Sequence, residues 1–158
     1  MLKPLKVLLV EDSEDDALLL LRALKRSGYE PSAHRVQSAD ELAIALLDSG
    51  WDIILCDYQM PGFSGLDAIA LLKMMALDIP LIVVSGVIGE ETALDCIHRG
   101  AGDYIMKGHL ARLGLAIERE LEKKEMRAKQ KQAEESLRES EVKYRSILES
   151  IGDGYYET

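Results

Sequence analysis

The sequence has few cysteines, the residues that cross-link small secreted domains and bind structural zinc. It contains only two cysteines, Cys56 and Cys96, among 158 residues. Neither belongs to a Cys-x-x-Cys pair or to a Cys/His cluster. A disulfide framework and a structural zinc site are therefore disfavoured, and a reducing, cytoplasmic setting is expected.

Long apolar runs and basic segments are also missing. The longest unbroken apolar run, Leu42–Leu47, is too short to cross a bilayer. The N-terminal residues show no apolar stretch of signal-peptide length. The formal net charge is −9, and no segment is strongly basic. We expect neither a membrane nor a nucleic acid as a partner.

Short apolar runs and helical patterns alternate along the first part of the chain. The runs around Val7–Val10, Ile53–Leu55 and Leu81–Val84 are continuous rather than alternating, which is typical of strands buried on both faces. The pattern predicts an α/β fold, a doubly wound five-stranded parallel sheet. The predicted strands are Leu5–Val10, Ala33–Val36, Asp52–Cys56, Pro80–Val84 and Asp103–Met106.

Helix-start signals support the segments between these strands. Ser13 with Asp16, and Ser38 with Glu41, have the spacing of capping boxes. The predicted helices begin at these two serines and end near Gly28 and Gly50, and two further helices cover Leu66–Met75 and Glu90–Arg99.

The composition changes near residue 117. Good helix formers dominate Leu115–Ser150, which predicts a long C-terminal helix. A heptad seam can be written through Met126, Ala133, Ser140 and Ile147 and through Gln130, Leu137, Tyr144 and Ile151. This indicates moderate coiled-coil character and a homodimer formed through the helix, although a single solvated helix is the simpler alternative. We divide the chain into a domain at 1–117, a linker helix at 118–149 and a further segment at 150–158.

Polar residues stand where the predicted strands end. Glu11 and Asp12 follow the first strand, Asp57 the third, Ser85 the fourth and Lys107 the fifth. The carboxyl ends of parallel strands meet at one edge of a sheet, so these residues are expected to converge. Grouped carboxylates suit Mg²⁺, and together with a hydroxyl and a lysine they suit phosphoryl transfer.

These residues resemble the motifs of the receiver domain of two-component response regulators. The resemblance covers about residues 4–120. It comprises the acidic pair Glu11-Asp12, the segment Asp57–Gly65 with its Met-Pro, Ser85, and the segment Gly100–Lys107. The resemblance implies a flavodoxin-like fold with strand order 2-1-3-4-5.

It also implies a role for each matching residue. Asp57 would accept the phosphoryl group, Ser85 would hydrogen-bond it and Lys107 would pair with one of its oxygens. The Mg²⁺ ligands would be Glu11, acting partly through water, Asp12, Asp57 and the backbone carbonyl of Gln59. Tyr104 would be an aromatic switch coupled to Ser85. Gln59 and Val87 match positions that tune hydrolysis.

The implied function is phosphorelay signalling. The donor would be a histidine kinase or a phosphotransfer protein, and the C-terminal helix would carry the change to an output module that this chain lacks. The domain would catalyse only its own phosphorylation and dephosphorylation, so it is not expected to be an enzyme in the usual sense.

Two features of the sequence indicate which subgroup of receiver domains it resembles. Receivers usually have proline after the lysine, preceded by a cis bond, whereas Gly108 follows Lys107 here. The segment Lys107–Leu113 is similar to receivers found beside PAS-type sensory domains. Residues 136–155 resemble the start of a PAS domain. We therefore assign 150–158 to the start of a truncated PAS-like domain and expect the natural protein to be longer.

Three other functions remain as alternatives. A phosphorylation-independent dimerisation module with a degenerate receiver would need only the C-terminal helix. A phosphatase of the haloacid-dehalogenase type needs a second aspartate where Gln59 stands. A flavodoxin that binds FMN needs a Ser/Thr-rich phosphate loop after the first strand, which is not present.

Overall fold

A five-stranded parallel sheet forms the core of the N-terminal part of the chain. The computed structural model describes residues 2–86 and 89–156, with their side chains as far as residue 151. The strands are β1 (Lys3–Val10), β2 (Tyr29–Val36), β3 (Ile53–Asp57), β4 (Leu81–Ser85) and β5 (Asp103–Met106). Their order is β2-β1-β3-β4-β5, and every neighbouring pair is parallel. The predicted fold class and strand order are confirmed.

Helices connect these strands. They are α1 (Glu14–Arg26), α2 (Ala39–Ala45), α3 (Gly65–Met74), α4 (Glu90–Arg99) and α5 (Leu113–Tyr156). A 3₁₀ segment, Lys107–Arg112, joins β5 to α5, and a small antiparallel hairpin pairs Gln59–Met60 with Phe63–Ser64. The sequence patterns indicated neither of these two features, because both segments are too short for a periodic signal.

Apolar side chains cover both faces of the sheet. On one face Leu9, Leu55 and Ile105 pack with Leu24 of α1 and Ile117 of α5. We call this the α1/α5 face. On the opposite face, Val10, Cys56, Val83 and Tyr104 pack with residues of α2, α3 and α4 such as Leu42, Ala68 and Cys96. Burial on both faces explains why the strand sequences are continuously apolar.

The predicted capping boxes are only half formed. The Ser13 hydroxyl accepts a hydrogen bond from the Asp16 N–H, and the Ser38 hydroxyl accepts one from the Glu41 N–H. The return bonds differ, because Ser13 N–H donates to Glu11 Oε1 and the Glu41 carboxylate accepts from Gln37 N–H. A complete capping box forms at Ser64 and Asp67 instead, at the start of α3.

Other local predictions need small corrections. The helix predicted to reach Gly50 ends earlier, since α2 stops at Ala45. β2 is longer than expected and begins at Tyr29. No cis peptide bond occurs among the described residues, so the Lys107–Gly108 bond is trans.

The chain divides into two compact units, Met1–Glu122 and Lys123–Thr158. The first unit contains the sheet with α1 to α4 and the beginning of α5. The second consists of the remainder of α5 and the last residues of the chain. Within the part of the chain that the structure describes, no helix is both long and apolar enough to cross a membrane.

Candidate functional site

The residues that the sequence predicts to be functional lie at the carboxyl edge of the sheet. Glu11 and Asp12 directly follow β1, Asp57 is the last residue of β3, and Ser85 is the last of β4. Lys107 directly follows β5. The parallel topology therefore brings four strand ends to one edge, with the phosphoacceptor candidate on the central strand.

Three carboxylates meet at this edge. Glu11, Asp12 and Asp57 each offer a carboxylate oxygen, and these oxygens lie within 4.8 Å of one another. Glu11 is buried, Asp57 is 9% exposed and Asp12 is exposed. The group thus opens to solvent on the side of Asp12, where a hydrated cation could approach.

Lys107 places its ammonium among carboxylates. Its Nζ lies 2.6 Å from Asp16 Oδ2, 3.1 Å from Glu11 Oε2 and 3.3 Å from Asp57 Oδ2. Burial alone lowers the pKa of Lys107, but its close contacts with the Asp16 and Glu11 carboxylates and the charge of Asp57 outweigh that effect and raise it. The lysine is therefore a permanent cation beside Asp57 at neutral pH.

Glu11 is held in an environment that disfavours its charge. Burial raises the pKa of its carboxyl from 4.5 to about 7, although a hydrogen bond from the Ser13 backbone and contact with Lys107 lower it. The negative charge of Asp57 also contributes to the raised pKa. Glu11 Oε2 is buried without a well-aligned hydrogen bond, despite its ion-pair distance to Lys107.

The donor set fits a hard divalent cation. Mg²⁺ prefers oxygen ligands and is often bound by one or two carboxylates together with waters and phosphate oxygens. Clustered carboxylate oxygens and a buried Glu11 Oε2 without a hydrogen bond match this preference. Gln59 follows closely after β3, in the first strand of the hairpin, and its side chain is exposed.

Ser85 and Tyr104 lie on the strands next to β3. Ser85 is 1% exposed and pairs in register with Met106, the residue before Lys107. Tyr104 pairs with Val83, two residues before Ser85, and packs in the core on the face opposite α1 and α5. Strand alternation puts Ser85 in phase with Val83 and Tyr104. Val87 lies outside the described residues.

Asp16 is the residue of this site that the sequence patterns did not identify. It lies in the first turn of α1, and its carboxylate makes the shortest contact of the Lys107 ammonium. Its position after Ser13 was interpreted only as part of a helix cap. No sequence signal links it to Lys107, because the two residues are 91 positions apart.

Comparisons with known proteins agree with this architecture. The family profile described as the response regulator receiver domain matches residues 7–118. The phosphate regulon transcriptional regulatory protein PhoB of Klebsiella pneumoniae is 35% identical over 106 residues, which is 65% of this chain and 44% of that protein. The chain spans less than half the length of this curated relative.

Solved structures show the same fold. The structure of NtrX from Brucella abortus superposes with a TM-score of 0.70 at 29% identity, covering 81% of this chain and 29% of that one. The receiver domain of a putative LuxO repressor protein from Vibrio parahaemolyticus gives a TM-score of 0.69 at 24% identity, covering 80% of this chain and 96% of that one.

Proposed function

This chain belongs to the response regulator receiver domain family, and from that premise we propose that it accepts a phosphoryl group on Asp57. The observation that carries the proposal is the grouping of the Glu11, Asp12 and Asp57 carboxylates with the Lys107 ammonium 3.3 Å from Asp57 Oδ2. It combines a nucleophile, a cation-binding group and a fixed positive charge, which phosphoryl transfer requires.

The donor in this proposal is a phosphohistidine on a histidine kinase or a phosphotransfer protein. A carboxylate oxygen of Asp57 attacks the phosphorus in line, and an O–P bond forms as the P–N bond breaks. The electron pair of the P–N bond leaves with the imidazole nitrogen. Hydrolysis returns Asp57 to its unphosphorylated form, because water attacks the phosphorus and the Asp57 carboxylate leaves. The domain thus catalyses only its own phosphorylation and dephosphorylation.

Mg²⁺ belongs to the proposal as the cofactor. The carboxylates of Glu11, Asp12 and Asp57, with the backbone carbonyl of Gln59, would hold it. When bound, the ion neutralises charge that develops on the phosphoryl oxygens. Lys107 supplies a second positive charge from the protein itself.

The response to phosphorylation would pass through Ser85 and Tyr104. A phosphoryl group adds about two negative charges and three acceptor oxygens. The Ser85 hydroxyl is the donor at the end of β4 that those oxygens would attract, and Tyr104 lies in phase with it on β5. We propose that the new contact shifts the populations of the conformations that these side chains and the start of α5 adopt.

The signal would leave through α5. Its target in this proposal is a sensory or catalytic output module, because the segment Lys107–Leu113 resembles PAS-linked receivers. A homodimer formed through the seam of α5 would couple two receivers. A phosphorylation-independent dimerisation module is the second candidate, favoured by the exposed apolar side chains of Leu137, Tyr144, Ile147 and Ile151.

Intact mass spectrometry after incubation with acetyl phosphate tests the proposal. We expect a gain of one phosphoryl group that requires Mg²⁺ and is lost in Asp57→Asn. Asp40→Asn is the matched control, because Asp40 is an exposed aspartate in the first turn of α2. It should be phosphorylated as wild type is.

The outcomes separate the two candidates. Phosphorylation that persists in Asp57→Asn would contradict the assignment of the acceptor. A folded wild-type protein that gains no mass with acetyl phosphate or with a histidine-phosphorylated donor would favour the dimerisation module.

A further inference from the structure

We infer that Asp16 is a positioning residue that competes with the phosphoryl group for the ammonium of Lys107. The inference deepens the function proposed above and rests on it. Asp16 would hold Lys107 while Asp57 is unphosphorylated and release it when the phosphoryl group arrives, so its carboxylate would set how readily Asp57 is modified.

Three carboxylates surround the ammonium of Lys107. The ammonium has three protons, and Asp16, Glu11 and Asp57 each place one carboxylate oxygen within 3.3 Å of Nζ. A phosphoryl group on Asp57 brings three further acceptor oxygens. Lys107 can bind them only if it gives up at least one of its present contacts.

The three contacts of Lys107 differ in how easily they can be broken. The Glu11 side chain is 1% exposed, so water cannot take the place of the ammonium beside its carboxylate. Asp57 carries the phosphoryl group itself. The Asp16 side chain is 33% exposed, so water can replace the ammonium there. Asp16 is therefore the contact that is least costly to break.

Asp16 lies outside the group of proposed metal ligands. The carboxylates that lie together are those of Glu11, Asp12 and Asp57, and Asp16 is not among them. Moving Lys107 away from Asp16 therefore leaves the proposed Mg²⁺ ligands in place. An exchange of Lys107 between Asp16 and the phosphoryl group can occur without rebuilding the cation site.

Hydrogen bonds fix the position of Asp16 in the first turn of α1. Its N–H donates to Ser13 Oγ at 3.2 Å, and Ser13 N–H donates to Glu11 Oε1 at 3.1 Å. This short chain of bonds ties the first turn of α1 to the residue that follows β1. Asp16 thus presents its carboxylate from a fixed turn beside Asp57, rather than from a loop.

Measured phosphorylation rates test the inference. Asp16→Asn removes a contact that Lys107 must break before it can reach the incoming phosphoryl group, so the barrier to phosphorylation falls. With acetyl phosphate and saturating Mg²⁺, we expect its phosphorylation rate constant to exceed that of wild type by about three- to tenfold. Asp16→Glu keeps the charge and should return the rate toward the wild-type value.

A matched variant separates this effect from a simple change of net charge. Asp15 lies in the same first turn of α1 and is exposed. Asp15→Asn removes the same charge from the same helix end without removing the contact with Lys107. Its rate should stay within about twofold of wild type, since exposed charges act weakly through water.

A measurement that needs no phosphorylation tests the contact itself. Urea unfolding of Asp16→Asn, Lys107→Met and the double variant forms a double-mutant cycle. We expect a favourable coupling between the two side chains, and no coupling when Asp15→Asn replaces Asp16→Asn.

Each outcome bears on the inference. An Asp16→Asn rate equal to that of Asp15→Asn, a rate below wild type, or zero coupling in the unfolding cycle would overturn the role of Asp16 and leave the proposed function standing. A wild-type protein that takes no phosphoryl group under any of these conditions would overturn both.

Discussion

At the scale of single residues, Glu11 shows how burial and charge are balanced in this site. Its side chain is almost wholly enclosed, yet it receives a hydrogen bond from Ser13 N–H and an ion-pair contact from Lys107. These contacts do not fully replace water, so the pKa of Glu11 rises to about 7. The site therefore keeps a carboxyl that changes charge near neutral pH until a cation binds.

This raised pKa predicts a pH dependence of stability. The folded protein keeps a proton on Glu11 up to about pH 7, whereas the unfolded chain releases it near 4.5. The free energy of unfolding of the metal-free protein should therefore fall as the pH rises through that window, by about 3 kcal/mol. Urea unfolding at several pH values would measure the slope, which Glu11→Gln should flatten.

Two comparisons check the assignment to Glu11. Glu14→Gln removes an exposed carboxyl from the same segment and should leave the slope unchanged. Mg²⁺ affinity should rise over the same pH window, because the metal requires the ionised carboxylate. A slope that survives in Glu11→Gln would assign the titration to another group.

At the scale of elements, the close contact between α1 and α5 depends on one glycine. An ideal Cβ at Gly114, near the start of α5, would overlap Cβ and Oγ of Ser27, the residue that caps the end of α1. Glycine in a helix ordinarily costs stability relative to alanine. Here the missing side chain allows the two helices to pack on the same face of the sheet.

Gly114→Ala should therefore destabilise the protein, against the usual helix preference. We expect a loss of about 1–3 kcal/mol in the free energy of unfolding, as for other overpacked contacts. Ser27→Gly in the same protein should restore part of the loss by removing the atoms that clash. Gly108→Ala is the matched control, because its Cβ would meet nothing within 4 Å. Equal effects of Gly114→Ala and Gly108→Ala would contradict this account.

At the scale of the whole molecule, the unit Lys123–Thr158 leaves a set of large apolar side chains exposed. Tyr144, Ile147, Leu148 and Ile151 follow one another at helical spacing and are each at least 50% exposed. Between Lys123 and Glu135 only Met126 belongs to this exposed set. The apolar seam is thus concentrated toward the end of α5, where pairing with a second copy would bury it.

Sedimentation equilibrium would test this pairing. We expect a wild-type dimer and, for Ile147→Glu, a dissociation constant at least about tenfold higher, because the seam would bury a charge. Val142→Glu is the matched control, since Val142 is exposed on the other side of the helix. A monomeric wild-type protein would contradict the homodimer, and equal effects of the two variants would contradict the assigned seam.

The sheet and most of the residues at its carboxyl edge could be predicted from the sequence. Continuously apolar runs marked strands buried on both faces, and the structure has β5 and α4 at the predicted bounds. The position of Glu11, Asp12, Asp57, Ser85 and Lys107 at strand ends followed from the same pattern, because parallel strands place their carboxyl ends together. The roles assigned to these residues stay predictions for the experiments above.

Contacts between side chains of different elements depend on the tertiary structure and could not be predicted from the sequence. Ser13 was expected to exchange bonds with Asp16, but Glu11 takes the N–H of Ser13 and leaves the Asp16 carboxylate to Lys107. Sequence patterns describe spacing within a helix or strand, whereas the contact between Asp16 and Lys107 joins groups 91 residues apart. The contact forms because packing α1 on the sheet brings its first turn to the end of β5, where an ammonium and a carboxylate can neutralise each other.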